Sequence, residues 1–326
     1  MQRRLIVGSA GSTGSFGVIK GVRQWYGETV FIIAIDINPR ERVAASLFSN
    51  AFVQVPLARS PEFADALALL AASYPGSSYL PIHDEEIEAA ARLASEGNLP
   101  AGLDLIAPPY EIVRVCNDKW RMHQWLKANG LPTPETVLAT PEAIAAVQLP
   151  IILKPRIGTG SQGVKLIRER SELANLKPEA WLLQECLQHP ELVANTFLSR
   201  TTGAFHSGCV MFLGVRDGFR WPGHGPWRVF REPVVEAQAE DLARRLPFFG
   251  TFSFQALSDS SSRWKITDVN PRVVSGRRTA AVGADFTIAS LADYWGDPTD
   301  RMLKPIVGEY IVSREYMEYV VSGPSQ

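Results

Sequence analysis

Cysteine is scarce. The chain has three in 326 residues, Cys116, Cys186 and Cys209, and no Cys-x-x-Cys pair. That excludes a disulfide framework and a structural zinc site, and it suits a reducing compartment. An excess of charge of one sign is also missing: Lys plus Arg total 33 and Asp plus Glu 34, so no net field favours nucleic acid or an anionic membrane. No apolar run approaches the roughly 20 residues that span a bilayer. The basic start Met1–Arg4 passes through Leu5–Val7 straight into glycines, too short for a signal-peptide core. No internal repeat or low-complexity segment stands out. The expectation is a cytoplasmic protein that handles small molecules, with no nucleic-acid or membrane partner. At this length two or three domains can each hold a core.

What is present begins with an alternation of strand and helix. Arg4–Val7 reads as a buried strand ending in a glycine-rich turn, followed by a helix from Phe16 to Tyr26. Val30–Ile35 is a second strand with Asp36 at its end. Pro61–Ser73 carries Phe63, Leu67 and Leu70 on one helical face, and Tyr79–Ile82 is another short strand. Asp84, Glu85 and Glu86 then open a helix with acids at its positive end. This βαβ pattern implies a parallel sheet covered on both sides.

Beyond Ala107-Pro108-Pro109 the texture changes. Asn117 or Asp118 can cap a helix running to Asn129, with Met122, Trp125 and Leu126 on its apolar face; Gly130 ends it, with Pro132 and Pro134 just beyond. Strands follow at Pro150–Pro155, Val164–Ile167 and Trp181–Glu185. From about Cys186 the chain is strand-rich, with one helix at Glu236–Leu246.

The stretch with the most chemistry lies in that last part. Phe252–Leu257 alternates like a half-buried strand, Asp259–Arg263 is a turn, and Lys265–Val269 is the return strand. In an antiparallel hairpin Gln255, Asp268 and Asn270 would share a face, since residues two apart do. Oxygen donors including a carboxylate suit Mg²⁺, and Arg272 just beyond could neutralise a phosphate. The bland reading of Asp-x-Asn before Pro is an ordinary strand-end turn.

Two glycine-rich stretches compete as a nucleotide site. Gly8, Gly11 and Gly14 follow a strand and precede a helix, with Asp36 ending the next strand, a context for a dinucleotide fold. The first two glycines are not separated by one residue, so a tight-turn role is the competing reading. The second stretch, Arg156 to Gly163, does read G-x-G-x-x-G at Gly158, Gly160 and Gly163, and its context is a hairpin. A Gly/Ser/Thr hairpin tip can donate several backbone N–H groups to phosphates, with Lys154 supplying charge at its base. The bland alternative is a surface hairpin whose glycines serve turn geometry.

Taken in order, Asn117-Asp118-Lys119, Ile151–Pro155, Gly158–Gly163, Leu183-Gln184-Glu185, Glu191, Gln255 and Asp268–Gly276 give the chain a resemblance to the ATP-grasp superfamily. The resemblance is to one synthetase half of the carbamoyl-phosphate synthase large subunit and to stand-alone ATP-grasp carboxylate–amine ligases, and it covers nearly the whole chain. It implies an α/β and α+β protein. A Rossmann-like pre-ATP-grasp domain would span residues 1–110, the small lid subdomain with its linking helix 111–185, and the large subdomain with the metal site 186–326. It implies ATP and one or two Mg²⁺ ions. Lys119 and Lys154 would meet ATP phosphates, and the loop of Gly158, Thr159, Gly160, Ser161 and Gly163 would close over them. Gln184, Glu185, Cys186 and Leu187 would form the adenine hinge, and Glu191 would take the ribose hydroxyls. Gln255, Asp268 and Asn270 would hold the metal, with Arg272, Lys154 and Arg277 acting in catalysis.

Departures accompany the likeness. The family usually has Glu where Asp268 stands, and the acid often found downstream of Glu191 is absent, with Asn195 nearby. One synthetase half makes carbamoyl phosphate an unsuitable product. The chemistry implied is carboxylate activation through an acylphosphate, with small-molecule carboxylate and amine substrates. A homodimer is the candidate assembly and the oligomeric state is left open.

Other residues carry weaker signals. Arg277 and Arg278 read either as a fork for a substrate carboxylate or as a solvated pair. His224 and Arg228 sit on an aromatic connection that Pro and Gly could simply shape. His123 reads as packed or exposed on its helix, and Cys186 as a small hydrophobe. Two rival functions remain open at this point. One is an NAD(P)-dependent oxidoreductase using Gly8–Gly14 and Asp36, which leaves Lys154 and the Asp268 hairpin without a role. The other is a non-catalytic, ATP-binding regulatory protein.

Overall fold

The computed structural model describes residues 2–158, 160–187, 191–213, 226–246, 248–273, 277–313 and 317–321. Thr159, His224 and the Val274–Gly276 end of the family-like motif lie outside the described residues, so their expected roles have no structural account.

The amino-terminal part alternates as expected. It contains β1 (Arg3–Val7), α1 (Thr13–Tyr26), β2 (Val30–Asp36), β3 (Ala51–Gln54), α2 (Glu62–Ser73), β4 (Ser77–Leu80), α3 (Asp84–Ser95), β5 (Leu103–Leu105) and α4 (Tyr110–Asn117). The five strands form one parallel sheet in the order β3-β2-β1-β4-β5. Strands β1 and β2 read as almost continuous apolar runs because both their faces are covered. One face packs Ile6, Ile33, Ile35 and Tyr79 against Phe63, Leu67 and Leu70 of α2. The other packs Leu5, Val7, Ile32 and Ala34 against Val18, Ile19 and Val22 of α1.

Next come α5 (Lys119–Ala128), β6 (Thr136–Leu138), α6 (Pro141–Ala146), β7 (Ile151–Pro155), β8 (Lys165–Ile167) and β9 (Trp181–Glu185). The four strands form a small antiparallel sheet in the order β6-β9-β7-β8, with its own core of Ala139, Ile151, Leu153, Ile167, Leu173 and Leu183. Helix α5 begins where the Asp118 carboxylate accepts from the N–H groups of Trp120 and Arg121, and ends before Gly130, whose φ of +67° suits a residue without Cβ.

The remainder holds β10 (Glu191–Leu198), β11 (Phe205–Phe212), β12 (Trp227–Phe230), α7 (Pro233–Arg245), β13 (Gly250–Ser258), β14 (Trp264–Asn270), α8 (Arg278–Ala281), α9 (Phe286–Tyr294) and β15 (Tyr310–Val312). Its six strands run antiparallel in the order β14-β13-β10-β11-β12-β15. One face carries Leu192, Ala194, Phe252 and Phe254 under α7. Ile112 and Cys116 of α4 and Met122 and Leu126 of α5 join that same core. The helix grouped with the lid in the expected division therefore packs on the large sheet, while residues 136–185 keep a core of their own. The opposite face carries Phe197, Val210 and Val229 and merges, through α9, with the α1 side of the parallel sheet. Parallel and large sheets thus share a core, and the small sheet is set apart from it.

Candidate functional site

The hairpin expected from alternation forms as β13 and β14. Gln255 pairs directly with Asp268 and Ser253 with Asn270, so Gln255, Asp268 and Asn270 share a face; a bulge lies between Gln255 and Ala256. Asn270 Nδ2 donates to Asp268 Oδ2 at 3.4 Å. The turn closes on Asp259, whose carboxylate accepts from the backbone N–H groups of Ser261 and Arg263.

Lys154, next to last in strand β7 of the small sheet, crosses to this hairpin. Its side chain is buried, and Nζ donates to the carbonyl of Thr267 at 3.1 Å, next to Asp268. Burial lowers its pKa to about 8; the Asp268 carboxylate opposes that shift and Lys119 adds to it. Lys119, first residue of α5, donates Nζ to the carbonyl of Gly158 at 2.6 Å. Lys119, Lys154, Gln184, Thr267 and Asp268 line one recess between the small sheet and β14.

The loop after β7 returns into β8 as a hairpin, as the sequence context indicates. Its base is fixed by the Arg156 guanidinium on the Asp118 carboxylate, 2.7 Å at the closest contact. That one carboxylate both caps α5 and holds the loop, and its pKa falls below the usual range against the cost of its burial, chiefly through Arg156. Gly160 at φ +62° and Gly163 at +79° take left-handed backbone that a Cβ would strain.

At the proposed hinge, Gln184 is buried with its Nε2 on Thr136 Oγ1 at 3.0 Å, so its side chain serves the small sheet. Glu185 receives Lys265 of β14 at 2.8 Å, a second tie from the small sheet to the hairpin. Cys186 and Leu187 follow, partly exposed, and burial raises the Cys186 thiol pKa. Glu191 opens β10, half-buried, in register with Leu257.

The two arginines diverge. Arg272 forks onto Asp84, the first residue of α3, with Nη2–Oδ2 at 3.3 Å and a shorter contact from Nε. Arg277, expected at the substrate, instead forms an ion pair with Asp285, which also accepts from Trp25 Nε1. Its guanidinium fills the space where Gly21 of α1 has no side chain, so it belongs to the α1–α9 contact. The Arg278 guanidinium lies 3.7 Å over the Trp227 ring, and Arg228 stacks on Phe230. His123 is buried, 3.2 Å from Thr133 Oγ1, with its pKa lowered by burial, as a packed histidine would be.

The first glycine turn is filled from within. The Glu86 carboxylate accepts from Ser9 Oγ and Tyr79 Oη, both at 2.7 Å, and would meet a Cβ on Gly8 at 1.9 Å. Asp36 accepts from the Gly11 N–H at 2.7 Å and from the Asn38 backbone and amide. The acid that a dinucleotide ribose would need and the mouth that its pyrophosphate would need are both engaged. A separate cleft of about 480 Å³ opens at the carboxyl ends of β4 and β5, where Leu80, Pro81, Ile106, Arg200, Arg272 and Tyr294 are among its walls.

Asp84, Lys265 and the Asp118–Arg156 pair were not legible as site residues. The Asp84 acid could be read only as a partner of a helix end, and Lys265 as one polar position of a strand.

A small antiparallel sheet whose lysine reaches across to an oxygen-rich hairpin on a larger antiparallel sheet, behind a parallel-sheet domain, defines the class. The chain belongs to the ATP-grasp superfamily: residues 116–276 match the ATP-grasp domain. The D-alanine–D-alanine ligase of Chromohalobacter salexigens is 29 % identical over 168 residues, 48 % of this chain and 52 % of that protein. The y4rH protein of Sinorhizobium fredii is 37 % identical over 86 residues, 25 % of this chain and 18 % of that protein. The chain thus spans about half of the first of these relatives and less than a fifth of the second. Among solved structures, N5-carboxyaminoimidazole ribonucleotide synthetase of Thermotoga maritima matches with TM-score 0.66 at 17 % identity, over 93 % of this chain and 79 % of that one. The L-amino acid ligase of Bacillus licheniformis matches with TM-score 0.69 at 15 % identity, over 89 % and 73 %. These likenesses show the fold.

Proposed function

We propose that the chain is an ATP-dependent carboxylate–amine ligase that works through an acylphosphate. One observation carries most of the reading: Lys154, buried on the small sheet, ends beside Asp268 on the large one. A cation and an oxygen-donor set are thereby brought together from two elements that can close on a phosphate chain. The related proteins point the same way, since they include ligases of amino acids and a synthetase solved with ADP.

Gln255, Asp268 and Asn270 fit Mg²⁺ by donor chemistry, being oxygen ligands with one carboxylate among them. When bound, Mg²⁺ would supply charge neutralisation on the β- and γ-phosphate oxygens. The protein's own residues do the rest. Lys154 and Lys119 hold phosphate oxygens, Lys119 by exchanging the Gly158 carbonyl for ligand. The loop of Gly158, Gly160 and Gly163 offers N–H groups and excludes water. Cys186 and Leu187 supply backbone to the adenine and Glu191 faces the ribose. Arg272, held by Asp84, offers its charge to the group in transfer.

The substrate carboxylate oxygen attacks the γ-phosphorus, forming an O–P bond as the bond to the ADP oxygen breaks. The amine nitrogen then attacks the carbonyl carbon; the C–N bond forms, orthophosphate leaves, and the nitrogen's proton passes to phosphate or solvent. Positioning and charge do this work, with no covalent enzyme intermediate.

The test is ADP release from Mg-ATP with pools of carboxylic acids and amines, comparing wild type with Lys154→Ala and Asp268→Ala. Acid-dependent release that collapses in both variants supports the reading. Tight ATP binding with no acid-dependent release from any pool would overturn it in favour of a regulatory role.

A further inference from the structure

One place on the large sheet is built at a cost that the fold does not recover. Asn195 of β10 and Ser253 of β13 are cross-strand partners, and Ser253 is in turn opposite Asn270 of β14. The three side chains therefore form a row on the hairpin's ligand-bearing face, two residue pairs along from Gln255–Asp268 and next to it on that face. Asn195 is 4 % and Ser253 1 % exposed, yet among the described residues neither Asn195 Oδ1 nor Ser253 Oγ has a hydrogen-bond partner. Two such atoms on adjacent strands each forfeit about 1–3 kcal/mol.

The wall beside the pair is apolar. Gly208 of β11 stands opposite Asn195, and the space above it is taken by Ile306, the Thr279 methyl and Phe286. Neither atom carries charge, and each accepts hydrogen bonds. Oδ1 can only accept, whereas the hydroxyl can accept or donate, so a group that satisfies both must bring at least one N–H or O–H hydrogen, for Oδ1, to a dry position next to the candidate metal ligands.

We propose that Asn195 and Ser253 seat the amine of the second substrate, a primary amine or ammonia, and receive its N–H hydrogens. This rests on the ligase reading above and names how its nucleophile is held. Neutral acceptors suit that task better than a carboxylate would. A buried acid holds an amine as its ammonium ion, which has no lone pair to attack with, whereas an amide oxygen and a hydroxyl in apolar surroundings favour the uncharged amine. The seat is the next position along the same face from Asp268, within reach of an acyl carbon whose phosphate is held at the metal ligands.

Hydroxylamine serves as the probe, with whichever acid supports ADP release in the pooled screen. Ser253→Ala and Asn195→Leu are each compared with wild type for hydroxamate formation and for thermal unfolding of the free protein. The expected result is a rise of about tenfold in the KM for hydroxylamine in each variant, the loss of one hydrogen bond. The KM values for Mg-ATP and the acid stay near wild type, and Tm is unchanged or higher. An unchanged hydroxylamine KM in both variants overturns the seat and leaves a pair of buried atoms without a ligand. A Tm lower by several degrees in both also overturns it, since the atoms would then have partners within the fold. A wild type that makes no hydroxamate and releases no ADP with any acid removes the ligase reading and the seat together. Activity in the wild type with unaltered hydroxylamine KM in the variants removes the seat alone.

Discussion

Arg272 and Asp84 lie 188 positions apart in sequence and meet as an ion pair that joins the head of α3 to the strand-end beyond Asn270. The parallel-sheet domain therefore orients the arginine that the ligase reading places at the transferred group. Asp84→Asn keeps the side chain's shape and removes its charge. Acid-dependent kcat is expected to fall about tenfold with the KM for Mg-ATP nearly constant, because orientation is felt most in the transition state. Arg272→Ala should cost about 100-fold or more, comparable with loss of an electrostatic donor at developing charge. Equal losses in both variants would mean that Asp84 does more than orient.

Lys154 is expected to impose a pH dependence on nucleotide affinity. Its pKa in the free protein is about 8, so it is mostly charged at pH 7 and loses its proton as pH rises through 8. Calorimetric affinity for ADP should weaken above pH 8, by up to tenfold per unit, with a proton taken up on binding across that range until pH reaches the raised pKa of the complex. The sign for stability is opposite. Between pH 8 and the ordinary lysine range the unfolded chain binds more protons than the folded one, so this residue's contribution to stability rises with pH there. Below pH 8 the burial of its charge is borne in full. Lys154→Met should remove both slopes, seen as the difference between variant and wild-type denaturation across pH 7 to 10.

The Glu86 carboxyl under the Gly8 turn yields a third expectation. Burial raises its pKa, and hydrogen bonds from Tyr79 and Ser9 oppose that shift only in part. The folded state thus holds the proton more tightly, and stability from this group falls as pH rises from the usual carboxylate range through the raised value. Glu86→Gln should flatten that part of the stability–pH curve. Gly8→Ala would drive a methyl into the carboxyl group and should destabilise by about 1–3 kcal/mol. Titration of the wild type with NADH, followed by fluorescence, should show no saturable binding.

Much of this was legible in the sequence, for reasons that differ by element. The strands β1 and β2 announce themselves because both faces are buried. The β13–β14 hairpin does so because half-burial imposes a period of two, and that period alone put Gln255, Asp268 and Asn270 on one face. The Gly158 loop was correctly placed in a hairpin from the β-branched and aliphatic residues after it. What stayed hidden was every contact between distant segments. Local pattern says that Arg277 follows Arg272 closely, but not that one meets α3 and the other α1. The packing of α5 on the large sheet was hidden likewise, since an apolar face does not name its partner. Orphaned atoms such as Asn195 Oδ1 have no sequence signal at all, because they are defined by what surrounds them.

The hairpin itself gives the last expectation. Asp268 is the only carboxylate of its three proposed ligands, and its arm is one methylene shorter than the glutamate usual in the family. A single acid gives a hard cation little charge to bind, so Mg²⁺ should be held mainly with nucleotide present, through its phosphates. Isothermal titration of Mg²⁺ alone should therefore show only weak binding, and titration with ADP much tighter binding. Asp268→Asn removes the charge and keeps the oxygen; it should weaken the Mg²⁺ dependence of ADP binding by about 100-fold. Gln255→Glu, directly across the rung, adds a second carboxylate at nearly the same volume and should tighten it by about tenfold, with a larger fall in affinity below pH 5. If Gln255→Glu leaves Mg²⁺ affinity untouched while Asp268→Asn abolishes it, the cation is held by Asp268 and Asn270 without Gln255. The cross-strand pair would then position the hairpin and not the metal.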